Sequence, residues 1–281
     1  MLPLSISAYV LCFNNEKTIK NSVNSILSQS INIKEILIID DGSQDNSKSI
    51  IQGLNCNSIR FEKNFGRGYG RAEAIKRLNG DFILCCDATN ELSSDFAEKC
   101  LPYFKDSKVA SVSGTLSSKK IHLKTASGRW RSRHLFKESQ DIPPMSEEDM
   151  LITYGTLMRR SSVLEVGNFD KELRHNEDQE LGKRLFKAGY LMKASGEALI
   201  FPLIENSLLQ VLERYWRWNC GPEEDWSLGS YIHSIRCSLR PMAEMDLRSG
   251  DFASMFISLT APHFCMVKTL MRKFKKFMQS Q

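Results

Sequence analysis

The sequence predicts an α/β fold built on a mainly parallel sheet flanked by helices, and three observations carry that prediction. Short apolar runs of strand character alternate with helical spacings over the first 115 residues, the pattern of a doubly wound sheet. Two of those runs stop at acids. Glu35-Ile36-Leu37-Ile38-Ile39 meets Asp40-Asp41-Gly42-Ser43, and Phe82-Ile83-Leu84-Cys85-Cys86 meets Asp87-Ala88-Thr89-Asn90. Open parallel sheets bind ligands beyond the carboxyl ends of their strands, so the acid-tipped runs predict one polar site at one sheet edge.

The elements follow in order. Residues 4–11 form the first strand, Asn14-Asn15-Glu16 supplies turn and cap chemistry, and Val23, Ile26 and Leu27 give helical spacing up to Gln29. Residues 35–40 are the second strand. A helix over 45–54 has Ile50, Ile51 and Leu54 as its stripe, and 58–61 is a short third strand. Asn64-Phe65-Gly66-Arg67-Gly68-Tyr69-Gly70 reads as a glycine-rich loop before a helix over 71–78, which Asn79-Gly80 stops. A strand over 81–87, a helix over 94–104 and a strand over 109–114 complete the alternation. Residues 116–150 are polar, contain Pro143-Pro144, and read as a connector. Beyond them come a strand over 151–159, a short helix over 161–166 and a helix over 177–188 with Leu181, Leu185 and Ala188 on one face.

Composition is that of a globular protein, 42% hydrophobic and 25% charged over 281 residues. The net charge of +5 is uneven: the run from Lys268 to Met278 holds five positive charges and no acid. Eight cysteines show no zinc-like CxxC pairs, and Cys85 and Cys86 sit in a buried-looking strand, which suits a reducing cytoplasm. The apolar segments 4–13 and 252–267 are too short or too interrupted to predict a membrane span. The expected location is the cytoplasm, with peripheral contact at the inner face of a membrane through the basic tail.

Four constellations bear on chemistry, each with a structural alternative. Gly66-x-Gly68-x-Gly70 with Arg67 and Arg71 suits a diphosphate, or is a flexible turn; it matches neither the dinucleotide nor the P-loop fingerprint. Asp87 with Asn90 suits a divalent cation bridging to phosphates, or Asn90 caps a helix. Glu177-Asp178 opens a helix, where acids satisfy the macrodipole or serve as general base. Residues 212–219 mix aromatics and arginines; without a strongly basic domain, nucleic-acid stacking gives way to a helix packed over the site, with an Arg near phosphates.

These motifs, in this order, resemble those of family 2 glycosyltransferases with the GT-A fold, whose sheet is Rossmann-like. The resemblance runs from about Leu4 to about Trp218 through Cys12-Phe13-Asn14-Asn15-Glu16, Ser28-Gln29, Asp40-Asp41-Gly42-Ser43, Asn64-x-Gly66, Gly80-Asp81-Phe82-Ile83, Asp87-Ala88-Thr89, Gly167-Asn168-Phe169-Asp170 and Asn176-Glu177-Asp178-x-x-Leu181. It implies an inverting transfer of one sugar from a nucleotide-sugar donor, UDP-linked, to a hydroxyl on a glycan, lipid-linked or small-molecule acceptor in cell-surface glycan or glycolipid synthesis. It implies a nucleotide-sugar-binding half over 1–115, an acceptor-binding and catalytic-base half over 116–219, and a helical extension with a basic tail over 220–281.

The resemblance also assigns roles. Asp178 is the general base and Glu177 orients the acceptor or its segment. Asn14, Asp41, Gly66 and Asp87 form the donor site, with Asp41 on the nucleobase, and the residue types add Arg67, Arg71 and Arg217 as cations for its phosphates. Asp87, Thr89 and Asn90 form the metal set for Mn²⁺ or Mg²⁺. Thr89 stands where the family has the last Asp of Asp-x-Asp, and a hydroxyl is a poor ligand for a hard dication. Three outcomes follow: weaker metal binding through Asp87 and Asn90, which is the expectation; neutralisation by Arg67, Arg71 or Arg217 without metal; or lost catalysis. The segment Arg129-Trp130-Arg131-Ser132-Arg133-His134-Leu135 lines the acceptor pocket or is an amphipathic basic helix. The processive branch carries Gln-x-x-Arg-Trp and membrane helices; the nearest match here is Glu213-Arg214-Tyr215-Trp216-Arg217-Trp218, so single-sugar transfer is expected. The alternative from another class is a silent sugar-nucleotide-binding or scaffold protein of the same fold. A nucleotidyltransferase is disfavoured for want of an N-terminal phosphate loop rich in Gly and Arg.

Overall fold

The computed structural model describes residues 5–117, 124–136, 151–220 and 227–279. Eight strands form one sheet in the order β3-β2-β1-β4-β7-β6-β8-β5. Its first half is β1 (Ile6–Cys12), α1 (Ile19–Leu27), β2 (Ile33–Asp40), α2 (Ser47–Gln52), β3 (Asn57–Arg60), α3 (Arg67–Arg77) and β4 (Phe82–Asp87). β1 lies parallel between β2 and β4, and β2 is parallel to β3. Register pairs Cys12 with Asp40 and Leu11 with Asp87, so the two acid-tipped runs end side by side at one edge. Each parallel return needs a crossover, and the alternating helices supply it.

The second half makes the sheet mixed. β5 (Asn90–Leu92) leads through α4 (Phe96–Cys100) and a 3₁₀ turn over Leu101–Lys105 to β6 (Val109–Leu116). Then come α5 (Ala126–Trp130), a π-helical turn over Arg131–Leu135, β7 (Gly155–Arg159), α6 (Arg160–Glu165), α7 (Glu177–Lys187) and β8 (Leu191–Pro202). β7 runs antiparallel to both β4 and β6, β8 is parallel to β6, and β5 is antiparallel to β8. α8 (Leu208–Cys220) follows, and α9 (Leu228–Cys237), α10 (Glu244–Arg248) and α11 (Phe252–Gln279) make the expected helical extension.

Several sequence expectations are corrected. Gly68 and Gly70 lie inside α3, not in a loop before it. A Cβ on Gly68 would stand 2.1 Å from the Asp170 carbonyl oxygen and one on Gly70 2.6 Å from Leu11 Cδ1, so these glycines let α3 approach a loop and a strand. Leu27 is exposed; the inward stripe of α1 is Ile19, Val23 and Ile26. β5 and β8 went unread, and the described part of the expected connector, 124–136, is largely helical. Pro143 and Pro144 lie outside the described residues.

The chain divides into two compact units, Met1–Ile121 with Asp141–Ile204, and His122–Gln140 with Glu205–Gln281. These cuts differ from the functional halves expected at residues 115 and 219. The first unit buries Tyr9, Ile39, Ile75, Ile83, Leu181 and Leu185 among its core residues. The second buries Trp130 against Val211, Tyr215, Ile257 and Ala261. Arg129 pairs with Asp251 at 2.7 Å and Arg133 with Asp246, so these cations meet acids of their own unit, as on an amphipathic basic helix.

Candidate active site

The site is built in the first unit, from the residues that close β1, β2 and β4. Asp40 is buried, accepts the Ser43 N–H at 2.9 Å and pairs with Arg60, which fixes the turn after β2. Asn14 takes a positive φ of 55°; its N–H donates to Ser43 Oγ at 3.0 Å and its Oδ1 accepts the Gln44 N–H at 2.7 Å. Asn14 therefore ties the loop after β1 to the loop after β2. Asp41 is also buried. Its two oxygens accept the N–H groups of Phe65 and Gly66 at 2.8 and 2.9 Å, holding the entry to α3. Burial raises its pKa despite those two bonds and the nearby Arg174. Each Asp41 oxygen thus serves one backbone N–H, and a carboxylate offers about four acceptor sites in all. Gly66 caps α3 at a φ of 101°, a conformation open to glycine, with Arg174 packed 3.0 Å from where a Cβ would stand.

From that cap, α3 carries two arginines toward α7. Arg71 is fully buried. Its Nε donates to Glu177 Oε1 at 3.1 Å, one terminal nitrogen reaches Tyr9 Oη at 3.0 Å and the Thr153 carbonyl at 3.4 Å, and the other reaches Asp87 Oδ1 at 2.9 Å. Arg71 therefore joins the end of β4 to the start of α7. It was expected to meet a diphosphate; it is instead an internal cross-link with every nitrogen engaged. Arg67, one turn earlier and 43% exposed, stands 3.4 Å from the same Glu177 oxygen. It is the arginine of this pair with access to solvent.

The start of α7 carries the acids. Asn176 at its cap has a φ of 60°, and Glu177 follows, fully buried. Glu177 Oε1 is shared by Arg67 and Arg71, while Oε2 is buried with no hydrogen-bond partner among the described residues. Asp178 is half-buried; its Oδ1 accepts the Gln179 N–H at 2.9 Å and its Oδ2 the Thr153 hydroxyl at 3.4 Å. Burial, then the Glu177 charge, lifts the Asp178 carboxyl above its usual value, and Arg71 and Arg67 oppose that rise. The turn Gly167-Asn168-Phe169 positions this segment: Asn168 Nδ2 donates to the Ala72 carbonyl of α3 at 3.0 Å, and Phe169 is buried in the core.

The expected metal set offers a dication few protein oxygens, so water and substrate phosphates would have to complete its shell. Mn²⁺ and Mg²⁺ call for about six hard oxygen ligands in octahedral geometry. Asp87 gives one oxygen to Arg71, so a cation on its carboxylate would sit beside a guanidinium. Asn90 is buried on β5 with its amide nitrogen donating to the Tyr154 carbonyl at 3.1 Å, an arrangement that orients its side-chain amide. Thr89, in the turn between β4 and β5, offers a hydroxyl. Among the described residues no three His, Cys, Asp or Glu side chains are placed to share an ion.

Arg217 lies on the exposed side of α8 in the second unit, and the cluster around Arg71 is built from the first unit alone. Sequence reasoning missed Tyr9, Thr153 and Arg174. Tyr9 had one signal, a phenol inside an otherwise apolar strand, whose buried hydroxyl must find a partner.

The family described as Glycosyl transferase family 2 matches over residues 7–167, more than half of the chain. Poly-beta-1,6-N-acetyl-D-glucosamine synthases of Staphylococcus aureus and Staphylococcus epidermidis are 26% identical over 228 residues, 78% of this chain. The chain spans about half the length of these relatives, 55%. Among solved structures, S. aureus TarS 1-349 in complex with UDP-GlcNAc aligns with a TM-score of 0.55 at 14% identity, covering 99% of this chain and 93% of that one. The mannosyltransferase PcManGT from Pyrobaculum calidifontis, in complex with GDP-Man and Mn²⁺, aligns with a TM-score of 0.58 at 12% identity, covering 97% and 74%. At such identities the likeness speaks for the fold, which is the GT-A fold.

Proposed function

The chain belongs to glycosyl transferase family 2, and from that premise we propose that it moves one sugar from a UDP-linked donor to an acceptor hydroxyl with inversion. The observation that carries this reading is the Arg71 cross-link, which brings Asp87 from β4 and Glu177-Asp178 from α7 to one place. Asp178 is the base. Its raised proton affinity suits it to take the acceptor hydroxyl proton as that oxygen attacks the anomeric carbon opposite the diphosphate. The new C–O bond forms as the sugar–phosphate bond breaks, and the nucleoside diphosphate leaves with the electron pair.

Glu177 and Arg71 are positioning residues: they fix the start of α7 and hold Arg67 beside it. Arg67 meets the departing diphosphate, because it is the solvent-accessible cation of the cluster. Asp41, Gly66 and Asn14 shape the loops around the donor, with Asp41 acting through the backbone of residues 65 and 66. The names of the relatives and the TarS complex support UDP-GlcNAc as the first donor to test, and a cell-surface glycan as acceptor. The named polymer belongs to longer proteins, and transfer of a single sugar is the reading for this chain.

The test is UDP release from UDP-sugars by purified protein, with the product anomer read by proton NMR. An inverted product supports the scheme. A retained configuration would remove Asp178 from its role, since direct displacement through a base must invert.

A further inference from the structure

α11 has two faces of different character. Ile257, Ala261 and Cys265 pack it into the core of the second unit. Opposite them, Phe252, Phe256, Leu259, Leu270, Phe274 and Met278 are exposed, and the phenylalanines at 252, 256 and 274 are 65%, 67% and 66% accessible. Steps of four and three residues, with the eleven between Leu259 and Leu270 equal to three turns, keep these side chains in one line. At about 1.5 Å per residue the stripe runs roughly 39 Å. Near its middle, Tyr231 of α9 reaches His263 at 2.6 Å. α9 has no buried residue and exposes Leu228 and Ile232 as well. Isolated apolar side chains on a surface are ordinary, but an apolar line along a whole helix marks an interaction face.

The charge beside the stripe selects its occupant. Residues 252–281 contain five lysines and arginines and no acid. Lys268 is tied to Glu213 and Arg272 lies 5.5 Å from the centroid of the Trp216 ring, so these two continue the packed face of α11 and any cation for the stripe comes from the remaining lysines. Lys273 and Lys275 flank Phe274 in sequence. An apolar line bordered by cations matches the boundary of an anionic bilayer, where acyl chains take the rings and headgroup phosphates take the ammonium groups. No helix among the described residues is long and apolar enough to cross a membrane, and an amphipathic helix that meets a bilayer lies in the interface plane. We propose that the exposed face of α11 docks this protein on an anionic phospholipid surface. This goes beyond the sugar-transfer reading and does not depend on it.

The experiment is flotation of the full chain with vesicles of phosphatidylcholine, with and without phosphatidylglycerol. The protein floats with the anionic vesicles, less so at high salt. The F256S/F274S variant stays at the bottom, and K275Q lowers partitioning about fivefold. The substituted side chains are exposed or half-exposed, so an unchanged thermal midpoint shows that the variants still fold. Absence of flotation, flotation independent of anionic lipid, or a phenylalanine variant that floats like the parent would each overturn the proposal. So would a concentration-dependent dimer in sedimentation that the same variant makes monomeric, because the stripe would then belong to a second copy.

Discussion

Replacing Arg71 with methionine tests the cross-link that assembles the site. Methionine keeps an unbranched apolar stem and removes the guanidinium. The fully buried Glu177 is then left with Arg67 at 3.4 Å as its remaining ion pair, and Tyr9 and Thr153 lose their donor. Removing one partner of a buried ion pair costs about 3–5 kcal/mol, against roughly 0–1 kcal/mol for a surface pair. For domains of this size a kcal/mol moves the midpoint by about 2–4 °C, so the transition of the first unit falls by roughly 6–20 °C. The readout is far-UV circular dichroism of the sheet. Tryptophan fluorescence would miss it, because the described tryptophans, Trp130, Trp216 and Trp218, fall in the second unit. The double variant R71M/E177L recovers much of the loss, since an apolar replacement of a buried pair leaves no stranded charge, and Asp87 is 25% exposed and can hydrate. A shift below about 2 °C, or a double variant no more stable than R71M, would show that Arg71 is not the element holding β4 to α7.

The other predictions concern single positions. Asp178→Asn raises the thermal midpoint at neutral pH: the folded pKa is raised, so the native state binds this proton more tightly and loses stability as pH climbs through that value. An unchanged or lower midpoint for the amide would contradict it. Arg67→Gln weakens UDP binding about 10- to 100-fold in calorimetry, equally with and without Mn²⁺, the loss of one charge-assisted contact. Restoration of full affinity by Mn²⁺ would return the phosphate to a metal. Gly68→Ala costs about 1–3 kcal/mol in thermal unfolding, because its Cβ would meet two backbone carbonyl oxygens, of Asp170 at 2.1 Å and of Leu173 at 2.5 Å. A neutral outcome would show that the loop over residues 170–173 yields easily.

Locally encoded features were legible in the sequence. β1, β2 and β4 are apolar runs fully or mostly buried, and their acid ends mark the sheet edge without knowledge of any partner. The Glu177-Asp178 pair was visible as acids opening a helix. β5 was not, because three residues become a strand by pairing with Ile200–Pro202, more than a hundred positions away. β8 was hidden by Ser195-Gly196-Glu197, which interrupts its apolar pattern where the register against β6 shifts. The glycine run misled because Gly-x-Gly-x-Gly looks the same before a helix as inside one that needs close approach; the deciding atoms belong to Leu11, Asp170 and Leu173. Arg71 misled for a related reason. Its residue type suggests a phosphate, while its partners Tyr9, Thr153 and Glu177 lie 62 to 106 positions away.

The most direct test of the central claim is the pH dependence of kcat/KM for UDP-sugar turnover by the wild type and by Asp178→Asn. A base must be unprotonated to act, so wild-type activity falls as pH drops through the raised Asp178 pKa. The asparagine variant loses about 10²- to 10⁴-fold and shows no such limb. Equal turnover in both proteins, or an acid limb that survives the substitution, would contradict the assignment of Asp178 as the base.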